Sequence, residues 1–181
     1  MIFIGIDPGK DGAVAVILPP QTTVQLFDTP TLRVKEGSAK RNFDVAGMVA
    51  LLLPFVDYHC LVSLERIHAM PGQGVTSMFS MGEGYGLWQG ILAALTMPYQ
   101  LVTPQRWKAD LMEGAPKDKA ASVLVASRLF PASANDLRGK KGAARDGRGD
   151  ALLLAEWGRR TYQGPVEVRT GAECAGIPAS E

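Results

Sequence analysis

The chain has 181 residues, 46% hydrophobic and 20% charged, with a formal net charge of +1. That length supports one domain with a full core, and that mixture excludes wholesale disorder. A near-neutral chain has no general attraction for polyanions, so a nucleic-acid partner would have to be met by local basic patches.

Two such patches exist. Arg138, Lys140, Lys141, Arg145 and Arg148 are opposed within their stretch only by Asp146, and Arg33, Lys35, Lys40 and Arg41 only by Glu36. Each alone reads first as a solvated loop; phosphate binding is the sharper alternative. The two cysteines, Cys60 and Cys174, lack metal-type spacing and fit a reducing cytosol. No apolar stretch is long enough to span a membrane, and the opening run Met1 to Asp7 has neither the basic leader nor the cleavage site of a signal peptide. The expectation is a cytoplasmic protein with no membrane contact.

In chain order, Ile2 to Ile6 is apolar and β-branched and reads as a buried strand. Asp11-Gly12 signals a hairpin turn, followed by strands over Ala13 to Leu18 and Thr23 to Phe27. Residues 28 to 42 read as an exposed loop. Asp44 caps a helix to about Leu53, ended by Pro54. Cys60 to Glu65 is a fourth strand, and residues 66 to 77 a loop. A long helix covers Met78 to Leu95, with Gly82, Gly86, Gly90 and Ala94 on one face. Close packing of that face on the sheet would offset the cost of its glycines, about 1 kcal/mol each. Tyr99 to Val102 is a fifth strand. Pro104 starts a helix to Leu111, another covers Lys117 to Phe130, and a last one runs from Asp146 to Arg160. Three hairpin-linked strands followed by strands alternating with helices give an α/β fold: a mixed five-stranded sheet, three antiparallel strands then parallel ones, flanked by helices. Residues 1–163 form the domain, and 164–181 a peripheral or disordered tail.

The acids carry the chemistry. Asp7 and Glu65 each follow an apolar strand directly. Buried carboxylates are normally paired or bound to metal. Asp146 and Asp150 are four apart and share one helix face, where two like charges repel unless a cation lies between them. Strand-end turns and helix-dipole effects explain each acid singly, but explain the set less well. Carboxylates with only two histidines in the chain suit magnesium or manganese rather than zinc. Such a set could hold two ions about 4 Å apart for in-line phosphodiester displacement.

Gly5-Ile6-Asp7-Pro8-Gly9 resembles the opening signature of RuvC-type Holliday-junction resolvases, a branch of the ribonuclease H-like superfamily. Leu64-Glu65 resembles their second acidic position, and Asp150-Ala151-Leu152 the start of their last helix. The likeness is greater to the branch that includes the monokaryotic chloroplast resolvases and phage and bacterial RuvC-like nucleases. There it takes in Gly84-Tyr85-Gly86-Leu87-Trp88, Gln105-Arg106-Trp107-Lys108, Leu129-Phe130-Pro131 and Asp146-Gly147-Arg148. It runs in order over residues 1 to about 160; single motifs are weak and their ordered combination is specific.

The resemblance implies an RNase H-like nuclease that cuts four-way or branched DNA as a homodimer and leaves 5′-phosphate ends. It implies two Mg2+ ions, with Mn2+ as a substitute, held by Asp7, Glu65, Asp150 and Asp146. Many bacterial members space their last two acids three apart, one fewer than here. Lys119 resembles a family lysine near the scissile phosphate, where it would stabilise transition-state charge. It reads otherwise as a surface lysine. Trp107 reads as core, with Lys108 facing DNA. His68 or Met70 could stack in the junction, although a loop histidine is more often merely exposed. Lys117, Arg138, Lys140, Lys141, Arg145 and Arg148 complete the expected DNA contacts, and the glycine face of the long helix is a candidate for the dimer.

Competing readings are a broader flap or branched-DNA nuclease, a junction-binding module without cleavage, and a lobe of an actin-like or sugar-kinase fold. The last needs a second lobe that 181 residues do not supply. No small-molecule cofactor is expected: Gly82-Glu83-Gly84-Tyr85-Gly86 fails the GxGxxG spacing, and neither a P-loop nor a GxSxG elbow occurs.

Overall fold

Strand β1 (Ile2–Ile6) is buried at every position, so both of its faces must be covered. The computed structural model describes residues 1–20, 23–36, 40–69, 72–116, 118, 120–139 and 142–164. In it β1 is the middle strand of five. β2 (Ala13–Leu18) pairs antiparallel with β1, and β3 (Thr23–Asp28) antiparallel with β2. On the other side β6 (Cys60–Glu65) and β7 (Tyr99–Val102) add in parallel, giving the order β3-β2-β1-β6-β7. This is the mixed sheet expected.

Strand alternation divides the core in two. Ile2, Ile4, Ile6, Val14, Val16, Val62 and Leu64 face one side, where they meet Met48 and Leu52 of α1 (Val45–Leu52) and Trp88, Ile91 and Leu92 of α2 (Val75–Ala94). Phe3, Ala13, Ala15, Ile17 and Leu61 face the other, against α5 (Asp146–Thr161). Outside α5 lie α3 (Pro104–Leu111), with its buried Trp107, and α4 (Ala121–Leu129), with Val123 and Ala126. The strand positions under α5 are mostly small, which lets the helix lie close on β1 and β2.

Several expectations need correction. Residues 28–42 are not simply loop: β4 (Thr31–Arg33) and β5 (Arg41–Phe43) form an antiparallel ribbon, too short to show a period in the sequence. Helix α2 begins a turn early, at Val75, because Gly74 is its N-cap rather than part of a longer loop. Helix α4 begins at Ala121, later than Lys117, and Lys117 and Lys119 lie outside the described residues.

The glycine face of α2 does not pack on the sheet. Among the described residues a Cβ at Gly82, Gly86 or Gly90 would meet nothing within 4 Å, and Ala94 is exposed. The buried glycine is Gly84, where a Cβ would collide with the Pro8 carbonyl and the Phe43 ring. Asp44 caps α1 as expected, accepting from the Gly47 amide at 3.0 Å. Among the described residues no helix is long and apolar enough to cross a membrane. The tail from residue 165, with Cys174, lies outside the described residues.

Candidate active site

Asp7 and Glu65 are adjacent by register. Ile6 pairs with Leu64 across the parallel β1–β6 ladder, so the next residues on the two strands are these acids. Alternation also gives them one face: Phe3 and Gly5 on β1, and Leu61 and Ser63 on β6, point toward α5, and the acids follow two residues on. The Asp7 amide donates to the Ala13 carbonyl, closing the β1–β2 hairpin, and the Gly9 amide donates to Asp7 Oδ1 at 3.4 Å.

Helix α5 brings the other two acids. Its first turn reads Asp146-Gly147-Arg148-Gly149-Asp150, and both glycines are contact points. A Cβ at Gly147 would overlap the Asp11 carbonyl of the hairpin turn; one at Gly149 would lie 2.9 Å from Ser122 Oγ and the Val123 amide. The helix start is thus wedged between the hairpin turn and α4. Asp150 is partly buried there and Asp146 exposed.

The electrostatics join these acids into one group. Burial first, then Glu65, Asp150 and Asp146, push the Asp7 carboxyl from 3.8 up to about 8, against the lowering effect of the Gly9 amide. Burial likewise raises Glu65, with Asp150 adding to it while the Trp107 N–H and Lys108 pull the other way. Burial raises Asp150, opposed by a hydrogen bond from Ser122 and by Lys108. Among the described residues no three His, Cys, Asp or Glu side chains form a ready-made metal cluster. The donors present are nevertheless all carboxylate oxygens, and their mutual repulsion is what a hard divalent cation relieves, so they fit such an ion.

Two clefts meet at Asp146 and Asp150. One, of about 690 Å³, is lined by Lys108, Ser122, Asp146 and Asp150. The other, of about 680 Å³, is lined by Asp7, Lys10, Arg41, Ser77, Asp146 and Asp150. A polyanion following both would pass Lys108 on one side and Lys10 and Arg41 on the other.

Of the residues expected to meet DNA, Lys108 stands at the acids, and Arg145 and Arg148 stand to one side. Both guanidiniums bond Asp28 at the end of β3, Arg145 at 2.7 Å and Arg148 at 2.6 Å, and Arg148 also donates to the Asp136 carbonyl. Partial burial raises the Asp28 carboxyl, and the two arginines outweigh it, holding it below its ordinary range. His68 and Arg138 are exposed and line neither cleft. Met70, Lys117, Lys119, Lys140 and Lys141 lie outside the described residues.

The sequence reading missed Lys10, Ser122 and the Trp107 indole N–H. Lys10 contacts Glu83 at 3.6 Å and lies over the Phe43 ring. Only the indole gave a signal in advance, because a buried Trp N–H usually has an acceptor.

No family model matches the chain. Over 88 residues, 49% of its length, it is 36% identical to the chloroplastic Holliday junction resolvase MOC1 of Chlamydomonas reinhardtii. The match spans 10% of that larger protein. Among solved structures, Thermus thermophilus RuvC in complex with a Holliday junction substrate superposes with a TM-score of 0.56 at 15% identity, over 88% of this chain and 95% of that one. Thermus thermophilus RuvC in a second structure gives 0.54 at 16% identity, over 88% and 96%. The fold is therefore the RuvC fold, the ribonuclease H-like arrangement expected from the sequence.

Proposed function

We propose that this chain is a structure-selective endonuclease that resolves four-way DNA junctions as a homodimer. It would hydrolyse one phosphodiester in each of two strands, leaving 5′-phosphate ends. The observation that carries the reading is the coupling of Asp7, Glu65, Asp150 and Asp146, drawn from two strands and one helix, into one group of acids. The RuvC fold and the sequence likeness to a chloroplast resolvase support the same choice.

Asp7, Glu65 and Asp150, with Asp146 at the rim, would hold Mg2+, or Mn2+ in its place. When bound, the two ions supply Lewis-acid polarisation of the phosphate and a more acidic water. The remaining work falls to the chain. The strand-end position of Asp7 and Glu65 and the wedge of α5 fix the carboxylates relative to one another. Lys108, whose charge acts on Glu65 and Asp150, sits where it would face a phosphate entering between them. Lys119 is assigned the transition-state role that its likeness to a family lysine suggests. Lys117, Arg138, Lys140, Lys141, Arg145 and Arg148 are assigned to flanking phosphates, and His68 to the junction opening. The open α2 face of Gly82, Gly86 and Gly90, with exposed Phe79 and Val75, suits the second copy. A cytoplasmic location completes the reading.

The test is a labelled four-way junction incubated with the chain and magnesium, beside flap, fork and linear duplex, with cut sites mapped. Asp7→Asn is expected to retain junction binding and lose cleavage. Magnesium-dependent cutting at full rate by that variant overturns the site. Retardation without nicking by the unsubstituted chain leaves a binding module, and preferential flap cleavage a broader branched-DNA nuclease.

A further inference from the structure

Trp107 is the buried residue of α3 and is completely inaccessible to solvent. Its indole Nε1–H donates to Glu65 Oε1 at 3.0 Å, across 42 residues of sequence. The chain's other two tryptophans do different things. Trp157 Nε1–H donates to Asp110, and Trp88 Nε1 is buried without a partner among the described residues. Trp88 shows that an indole can fill this core with its N–H unanswered, so volume alone does not explain the Trp107 contact. A carboxylate at a strand end can rotate about its last torsion. A rigid donor on one oxygen selects one orientation and leaves the other oxygen directed away from the indole.

The two other half-buried acids of the site are held in a similar way, Asp150 by Ser122 and Asp7 by the Gly9 amide. The donor to Glu65 is distinctive because it comes from a fully enclosed aromatic side chain: Trp107 has no solvent-exposed surface, and Lys108 Nζ lies 5.0 Å over its ring.

We propose that Trp107 is a positioning residue, whose indole N–H holds Glu65 in the orientation that receives a divalent cation. This rests on the reading above that Glu65 is a metal ligand. Partners of this kind typically change metal affinity ten- to a hundred-fold when removed.

The experiment titrates the full-length chain with magnesium alone and follows the three indole N–H resonances by NMR, assigned with Trp88→Phe and Trp157→Phe. The Trp107 resonance is expected to move saturably, with the other two nearly still. Calorimetry on Trp107→Phe, which keeps an aromatic ring but loses the donor, is expected to show magnesium binding about ten- to a hundred-fold weaker. The magnesium concentration giving half-maximal junction cleavage should rise in parallel, with most of the rate recovered at saturating magnesium. A purely packing role would lower the folded fraction and leave both midpoints unmoved.

Magnesium binding with an unmoved Trp107 resonance overturns the inference and leaves the metal-site reading standing. Absence of any magnesium binding by the unsubstituted chain overturns both. If Trp107→Phe fails to fold, the resonance titration of the unsubstituted chain decides the matter.

Discussion

Gly5 on β1 lies directly against the Ala151 carbonyl on α5: a Cβ at Gly5 would overlap that oxygen and the Ala155 amide nitrogen. Asp7 is two residues beyond Gly5 and Asp150 one before Ala151, so this contact sets how closely strand and helix bring their acids. Gly5→Ala meets backbone on both sides, which cannot turn aside as a flexible side chain can. The expected cost is about 3 kcal/mol, at or above the upper end for overpacking. That corresponds to a fall in Tm of about 6–12 °C for a chain of this size. Thermal denaturation measures it, and an unchanged Tm refutes the contact. Cleavage should be lost even at temperatures where the variant remains folded.

The raised Asp7 carboxyl makes stability depend on pH in a definite direction. In the unfolded chain it ionises near 3.8, in the folded chain near 8. Between those values the folded chain holds the extra proton, so metal-free stability falls as pH rises through the window. Glu65 and Asp150, also raised, act with the same sign. Asp7→Asn is therefore expected to stabilise the chelator-treated protein at pH 8 by a few kcal/mol, since each tenfold change in proton affinity is worth about 1.4 kcal/mol. The gain should shrink toward pH 4. Denaturant melts at several pH values test this, and a gain independent of pH contradicts it.

On the proposed reading, magnesium would compete with the same protons. Its binding to the acids would release them, so the rise in Tm on adding magnesium should grow between pH 6 and pH 8. A rise that is flat with pH would place the ion elsewhere.

Two glycines of α2 two residues apart should respond oppositely. Gly86→Ala meets open space, so in a lone chain it should stabilise the helix by up to about 1 kcal/mol. Gly84→Ala runs into the Pro8 carbonyl and Phe43 and should destabilise. If the open face seats a second copy, Gly86→Ala weakens self-association while raising monomer stability. Sedimentation combined with thermal melts separates the two effects.

Asp28 restrains Arg145 and Arg148, two of the residues assigned to flanking phosphates. Its carboxyl is held below its ordinary range, so its contribution is present above about 3.8 and fades as pH falls through the lowered value. Because the pair is more than half exposed on the acid side, Asp28→Asn should cost no more than about 1 kcal/mol. Freed arginines would then strengthen junction binding and steepen its salt dependence. Anisotropy titrations at several salt concentrations test this; an unchanged slope removes Arg145 and Arg148 from the DNA surface.

Much of the candidate site's placement in the fold was legible because strand periodicity and parallel register are simple geometry. Two apolar runs ending in Asp7 and Glu65 allowed both strands to be recognised, and the acidic pair of Asp146 and Asp150 marked a helix start. What was not legible depended on distance. The stripe of Gly82, Gly86 and Gly90 looked like a packing face because its spacing is right for one, but Gly84, off the stripe, makes the close contact. Spacing shows which residues share a face and not which face turns inward when both are rich in small residues. The β4–β5 ribbon has three residues per strand, fewer than an alternation needs to declare itself. The roles of Trp107 and Ser122 arise from contacts between segments far apart in the chain, about which local patterns are silent.

Because half of the acids ride on α5, the last described helix, a ribosome makes the strands that bear Asp7 and Glu65 long before their counterparts exist. Until that helix seats on β1 and β2, the sheet keeps an uncovered apolar face and the acids have no complete set. On the proposed reading, catalytic competence and the closing of the core would thus be one event, and a chain ending before α5 would be both unstable and harmless to DNA.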